Sequence, residues 1–425
     1  MIWFVLLLLL FLMAVPIAVG LVIVGLGYLS VGGRVDELIV AQRVATGIDN
    51  FALMAIPFFL LAAELMNRTG ITDRIFALAN CLLGRVPGGL GYVNVVASML
   101  FASMSGSAVA DAVGLGRIEI KAMTAAGYGR AFSAAVTTAS TTIAPIIPPS
   151  ISLIIFGVTS GASIGGLFLG GLVPGILMGL SMMVVVFLHV RRHRYPPGPK
   201  TSARDTLCAA ARAFLPLMTP VIIVGGIWGG IFTPTEAGAF AVLYALILGV
   251  FVYRTIGPRE IVTTLYESAL ASANILFIIA VSAVIAWLLT MEQVPLHMAA
   301  AILDLSPHPF VFLLFLNAAL LVLGCFMAAA PVIIMVVPII LPATTAMGLD
   351  PIHVGVVMVL NLMIGLITPP VGLCLFAVAE VAAISPVRLM RALVPFFVPL
   401  IGTLLAITLI PEIVLFLPRF FGYAS

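Results

Sequence analysis

The run Thr137–Phe156, TTASTTIAPIIPPSISLIIF, is apolar enough to lie in a membrane, yet Pro145, Pro148 and Pro149 interrupt it near its middle. Each proline removes a backbone donor and clashes with the preceding turn, so the run reads as two helical halves around a break. Thr137, Thr138, Ser140, Thr141 and Thr142 place five hydroxyls just before that break. In lipid, broken backbone survives only where protein buries it or a bound group satisfies it. Two readings follow: a proline kink whose hydroxyls bond back to their own helix, or a half-helix terminus that holds an ion or an anionic solute. Whether the chain builds the element twice separates them.

The setting is a membrane. Hydrophobic residues make up 63% of the 425 and charged residues 8%, against roughly 25% charged in soluble domains. The fold class is therefore an all-α polytopic membrane protein. The longest polar stretch, Arg191 to Arg204, leaves no room for a soluble catalytic domain, and nothing points to nucleic acid. The apolar start, Met1 to about Ser30, has no basic residue before Arg34, so it reads as a first span rather than a cleavable signal. Cys81, Cys208, Cys325 and Cys374 are scattered, and His189, His193, His297, His308 and His353 sit near predicted loops without metal spacing. Trp3, Trp228 and Trp287 fall near span ends, as interfacial aromatics do.

In chain order, Met1–Leu29 is a span, 31–50 an amphipathic surface segment and Phe51–Met66 a second span. Residues 88–120 contain two short apolar pieces around SMSGSAVAD (103–111) and read as a re-entrant hairpin, since neither piece exceeds about 15 residues and a span needs ~20. The broken helix follows at about 130–157, then a span at 164–190, so the first repeat covers 1–190. A connecting loop occupies 191–206, and an extra span 207–230. The second repeat, 231–425, has spans at 237–253 and 271–289, a hairpin at about 308–347 and a helix at about 353–380 broken by GLITPP. Its final span is 394–417. A shift of 221 residues lays Pro148 and Pro149 on Pro369 and Pro370, and Ile143 on Ile364; a shift of 223 lays Asn94 on Asn317 and Met104 on Met327. With a cytoplasmic N-terminus, fifteen basic residues fall on cytoplasmic segments against three (Arg34, Arg43 and Arg419) on the other side. The two hairpins then enter from opposite sides, so the repeats are inverted, and the unpartnered span 207–230 inverts the second.

Inverted repeats with discontinuous helices are the build of secondary transporters. Half-helix ends present partial charges to a protein-lined cavity. Carbonyls and hydroxyls there suit a hard cation, and free amides suit a carboxylate. At these residues the chain resembles a known family. The runs IPFFLLAAELMNRTGITDR (56–74), PGGLGYVNVVASMLFASMSGSAVADAVGLG (87–116), TTASTTIAPIIPPSI (137–151) and GLITPPVGLCLF (365–376) are similar to the large membrane (M) subunit of tripartite ATP-independent periplasmic (TRAP) transporters. The resemblance covers essentially the whole chain. It implies a Na⁺-coupled importer of an organic acid (a C4-dicarboxylate, sialic acid or a sugar acid) in the bacterial inner membrane. The mechanism implied is an elevator, in which hairpins and broken helices slide against the remaining spans. It further implies two partners, a periplasmic substrate-binding protein (P type) and a small four-helix membrane subunit (Q type). The latter is expected as a separate polypeptide, since the chain begins directly with the large-subunit pattern.

The resemblance places one sodium site on Ser103, Ser105, Gly106, Ser107, Ser140, Thr141 and Pro145. A repeat-related site would use Gly324, Met327, Ala328, Ala329, Gly365, Thr368 and Pro369, where alanines at 328–330 leave backbone carbonyls as the main ligands. Substrate would lie between the tips, at Ser105, Gly106, Ser107, Pro148, Pro149, Pro369 and Pro370. Asp111, one turn past the first tip, is expected to be a structural carboxylate held by free amides of the hairpin turn, while Glu64, Glu236 and Glu380 read as interfacial or salt-bridging. An intramembrane aspartyl protease would need two facing aspartates, and only Asp111 qualifies. A channel would draw its pore from subunit symmetry. The nearest alternative is a stand-alone ion-coupled dicarboxylate or anion permease of related inverted-hairpin architecture.

Overall fold

The computed structural model describes residues 17–32, 37–193, 202–293 and 308–424, with Leu10, Val15 and Tyr195 besides. Most of the first expected span before residue 17, Trp3, Arg34, Asp36, most of the stretch 194–201, His297 and Asp304 lie outside the described residues. The first half comprises α1 Ile17–Gly32, α2 Glu37–Ile48, α3 Ala55–Arg68 and α4 Ile71–Leu83, then α5 Gly89–Ser105, α6 Ala108–Val113 and α7 Leu115–Ala125. The interrupted helix follows as α8 Arg130–Ser140 and α9 Ile151–Ser160, and α10 Ile164–His193 closes the half. The second half runs α11 Ala203–Trp228, α12 Pro234–Leu246, α13 Pro258–Met291, α14 Pro309–Phe326 and α15 Ala329–Ala346. It ends with α16 Pro351–Gly365, α17 Leu373–Val381, α18 Pro386–Leu409 and α19 Glu412–Phe420.

Local chemistry sets these boundaries. Both apolar runs with a double proline break where expected: α8 tightens into a 3₁₀ turn at Thr141–Ile143 and stops, and α16 stops at Gly365. Each helix that restarts has a cap or a turn residue. Ser150 Oγ accepts from Leu153 N at 3.1 Å to open α9, and Gly372, at φ 45°, precedes α17. Ser107 Oγ accepts from Ala110 N at 3.4 Å to open α6 after Gly106, whose φ of 57° turns the hairpin. The Pro148–Pro149 and Pro369–Pro370 bonds are both cis.

Several extents differ from the sequence reading. The span expected at 271–289 is the end of α13, whose 34 residues reach about 51 Å at 1.5 Å per residue. Charged and hydroxyl residues in its first half (Glu260, Glu267, Ser268) masked the helix from an apolar criterion. The hairpin arms are longer than expected, 17 residues in α5 and 18 in each of α14 and α15. By length and composition α14 and α15 are two of eight described helices able to cross a membrane. The final span is α18, ending at Leu409. Pro411 then starts the short helix α19, so 394–417 is not one element. Helix α4 and the helical form of 115–125 were not anticipated, and His353 is not in a loop but buried in α16, its Nε2 2.7 Å from the Ile407 carbonyl.

Packing is reciprocal between the halves. The first segment of each interrupted helix lies on the closing helix of the other half, α8 on α18 and α16 on α10. The second segment of each lies on the other half's hairpin, α9 on α15 and α17 on α6. Most core residues fall in this intertwined centre. Around it, α13 packs along α1, α2 and α3, α12 packs on α3, and α11 packs on α4. Arg68 of α3 bridges Glu64 at 3.2 Å and Glu267 of α13, which ties two of these outer helices together.

Backbones approach closely between α14 and α16. A Cβ built on Gly365 would lie 2.6 Å from Gly324 Cα, and one on Gly324 3.1 Å from Gly365 Cα. Overpacking against backbone cannot be relieved by a rotamer change. Gly365→Ala is expected to lower stability by about 1–3 kcal/mol, whereas Gly402→Ala, with nothing within 4 Å, should be neutral or stabilising. Thermal unfolding in detergent compares them; equal midpoints would show that the contact is slack.

Candidate functional site

The two hairpin tips sit on the two proline breaks. At the first tip, a Cβ on Gly106 would fall 2.6 Å from the Pro149 carbonyl oxygen, so only glycine allows the tip to seat there. This brings Ser105, Gly106 and Ser107 against Pro148 and Pro149, and α6 against the turn Thr141–Ile143. At the second tip, the Cys325 carbonyl accepts from Val371 N at 3.3 Å and from Gly372 N at 3.2 Å, which holds Gly324 and Met327 beside the break 366–372. Helix α16 also touches Thr141–Ile143, so the two breaks adjoin. The halves are not equivalent in exposure. Residues 144–150 are all buried, whereas Pro369 and Pro370 are exposed.

The hydroxyls before Pro145 do bond back to their own helix, as the kink reading expects. Thr138 Oγ1 donates to Ala134 O at 2.7 Å, Ser140 Oγ to Thr137 O at 3.0 Å, Thr141 Oγ1 to Thr138 O at 2.9 Å and Thr142 Oγ1 to Ala139 O at 2.6 Å. In the second half Thr368 Oγ1 donates to Ile364 O at 2.7 Å. Such bonds use the proton and leave the oxygen lone pairs free, so they do not disqualify these groups as cation ligands. Ser103 Oγ likewise donates to Leu100 O at 2.6 Å, and Ser105 Oγ is buried with no hydrogen-bond partner among the described residues. Around the first break the available donors are hydroxyl and carbonyl oxygens, a set that fits a hard cation such as Na⁺.

Both hairpins are latched to their interrupted helices by a buried asparagine. Asn94 of α5 donates from Nδ2 to Thr137 Oγ1 at 2.7 Å and accepts at Oδ1 from Ser140 Oγ at 3.0 Å. Asn317 of α14 accepts at Oδ1 from Asn361 Nδ2 at 2.9 Å and donates to Thr408 Oγ1 at 2.9 Å. Residues 94 and 317 are the pair related by the 223-residue shift, and 140 and 361 are related by 221.

Asp111 departs from the role expected of it. The free amide at the start of α6 is capped by Ser107, and neither Asp111 oxygen has a hydrogen-bond partner among the described residues, although the residue is 1% exposed. Sequence reasoning missed Glu119 altogether. The hairpin reading of 88–120 gave Glu119 no role; exposed Arg117 and Lys121 alternate there with buried Glu119, Ile120 and Met123 on α7. A helical period through RIEIKAM was the available signal. Glu64 pairs with Arg68, and Glu236 caps α12 through Thr233 N at 2.8 Å, in keeping with interfacial roles. A depression of about 420 Å³, lined by residues including Gly161, Ser163, Ile227, Phe232 and Tyr423, opens beyond the ends of α9 and α11, away from both breaks.

Comparison with known proteins agrees with this layout. The family model described as "Tripartite ATP-independent periplasmic transporter, DctM component" matches residues 4–413. The chain is 42% identical over 411 residues to the sialic acid TRAP transporter large permease protein SiaM of Vibrio cholerae, covering 96% of each chain. It is 39% identical to the C4-dicarboxylate TRAP transporter large permease protein DctM of Pseudomonas aeruginosa, covering 88% of each. It is 37% identical to the sialic acid TRAP transporter permease protein SiaT of Haemophilus influenzae, but spans 66% of that longer protein. Among solved structures, the YdaH transporter of Alcanivorax borkumensis superposes with a TM-score of 0.64 at 14% identity, over 88% of this chain and 89% of that one, a likeness of fold alone. Hairpins seated on paired proline breaks, and sequence similarity along nearly the whole length, lead to one conclusion: the chain belongs to the DctM family, as a large permease subunit of a tripartite ATP-independent periplasmic transporter, and is a transporter subunit rather than an enzyme.

Proposed function

We propose that this subunit carries a small organic acid inward across the bacterial inner membrane, coupled to Na⁺, by an elevator movement. In that movement the two hairpins and two interrupted helices shift as one body against the outer helices α1–α3 and α11–α13. The observation that carries the reading is the seating of each hairpin tip on a proline break, with reciprocal packing of the halves around one centre. That arrangement supports two inverted repeats with re-entrant hairpins, and the fifteen-to-three distribution of basic residues supports a cytoplasmic N-terminus. Ser103, Ser105, Gly106, Ser107, Ser140, Thr141 and Pro145 would hold one Na⁺. Gly324, Met327, Ala328, Ala329, Gly365, Thr368 and Pro369 would hold a second, chiefly through carbonyls. Bound Na⁺ would supply positive charge beside an anionic solute and the driving gradient. Substrate would lie against Ser105–Ser107 and the proline pairs Pro148–Pro149 and Pro369–Pro370. The relatives named for sialic acid, C4-dicarboxylates and, in Escherichia coli, 2,3-diketo-L-gulonate all handle organic acids, which supports that class.

The longer relatives SiaT and the isethionate permease DctMQ of Oleidesulfovibrio alaskensis, of which this chain spans 66% and 64%, leave room for a fused small subunit. Here a separate four-helix Q-type subunit and a P-type binding protein are the proposed partners. Removing one hydroxyl ligand is worth about 0.5–1.5 kcal/mol. Ser105→Ala or Ser140→Ala should therefore raise the Na⁺ concentration for half-maximal uptake by about 2- to 10-fold. Unchanged Na⁺ dependence in both variants would remove the tip from the coupling site. Proteoliposomes holding both membrane subunits should take up little solute until the binding protein is added. Robust uptake by this chain alone would favour the stand-alone permease instead.

A further inference from the structure

Two carboxylates lie deep in the first hairpin, and neither forms a salt bridge among the described residues. Asp111 is 1% exposed and Glu119 is fully buried. Both Asp111 oxygens and Glu119 Oε1 have no hydrogen-bond partner among the described residues; Glu119 Oε2 accepts only from Thr137 Oγ1, at 3.2 Å. The basic residues nearest in sequence, Arg117 and Lys121, are exposed. The two carboxylates are close enough to repel each other, and Ser98 of α5 lies beside both; among the described residues the Cys374 thiol of α17 is a further titratable group facing Asp111. Burying one unpaired carboxylate is costly, and burying two in mutual repulsion more so.

The surrounding hydroxyl network has a fixed direction. Thr137 gives its proton to Glu119, so it accepts from Asn94 Nδ2 at 2.7 Å, which turns Asn94 Oδ1 toward Ser140. Ser140 has one proton, shared between that oxygen and Thr137 O, each at 3.0 Å, and so accepts from Ser98 Oγ at 2.9 Å. The Ser98 proton is therefore directed away from the carboxylates. Ser98 Oγ, its proton given to Ser140, lies beside the carboxyl groups of Asp111 and Glu119. An all-acceptor oxygen set with excess negative charge is the shell of a hard cation.

The second half supplies an internal control. The 223-residue shift that pairs Asn94 with Asn317 pairs Ser98 with Leu321, Asp111 with Ile334 and Glu119 with Pro342. That hairpin keeps its asparagine latch with apolar residues at all three places, Ile334 buried and Leu321 and Pro342 half-buried. The carboxylates are thus not required to build the hairpin.

We propose that Ser98, Asp111 and Glu119 form a binding site for a hard cation between α5 and the return arm α6–α7, adjoining the tip through the Ser98–Ser140 bond. The inference goes beyond the transport reading and does not depend on it, because binding is read without solute or binding protein. The experiment uses the full chain in lipid nanodiscs, titrated with Na⁺, K⁺, Mg²⁺ or Ca²⁺ in separate arms against choline. One of these should raise the unfolding temperature saturably. Glu119→Gln and Asp111→Asn should weaken that half-saturation by at least about 10-fold. In choline alone they should unfold at higher temperature than the unmodified chain, since each removes an unpaired charge. The site is overturned if both variants keep the half-saturation and the cation-free midpoint of the unmodified chain. Should the variants not fold, infrared spectra of the unmodified chain decide: carboxylate bands that shift with the cation support the site, and protonated-acid bands indifferent to every cation refute it.

Discussion

A proline within an apolar helix frees backbone carbonyls that lipid cannot solvate, and every other feature of this chain's centre follows from where those groups go. The first break, residues 144–150, is buried on all sides. Its own hydroxyls, Ser150 and the seated tip at Gly106 surround it with polar groups that stay within the protein. The second break is stitched instead to the tip of its hairpin through the Cys325 carbonyl. Because a broken helix is tolerable only where protein encloses it, each hairpin has to lie on a break, and the other half has to cover what remains. The reciprocal packing of α8 on α18 and of α16 on α10 is the geometry that achieves this.

The two halves meet the same constraint with different chemistry. Asparagine holds each hairpin to its interrupted helix, through Asn94 with Thr137 and Ser140 in one and Asn317 with Asn361 in the other. Among the described residues only the first half sets buried carboxylates beside that latch, and only the second leaves its proline pair open.

Much of this was legible in the sequence, because the features that define it are backbone features. Double prolines, the SGS tip and the change from apolar run to Gly/Ser break mark discontinuities that no packing can erase, so both interrupted helices and both tips fall where expected. Features set by packing were not legible. The length of α13 was hidden because Glu260, Glu267 and Ser268 lower its hydropathy although neighbouring helices cover parts of that stretch. Glu119 stands between two basic neighbours in sequence, and its burial depends on α8 and α5 closing over it. Asp111 was placed at the right depth but given the wrong partner, since the cap it seemed suited for was taken by Ser107.

The account stands or falls on whether the hairpins and interrupted helices move as one body. Spin labels placed on exposed positions answer this directly: Val109 on α6 and Phe315 on α14 for the central body, Leu243 on α12 and Val262 on α13 for the outer helices. The native cysteines Cys81, Cys208, Cys325 and Cys374 are replaced first. Distances between the two bodies should shift together between Na⁺-free and Na⁺- and solute-loaded liposomes, while the Val109–Phe315 and Leu243–Val262 distances stay constant. Shifts within the central body, with its distance to the outer helices unchanged, would contradict the account.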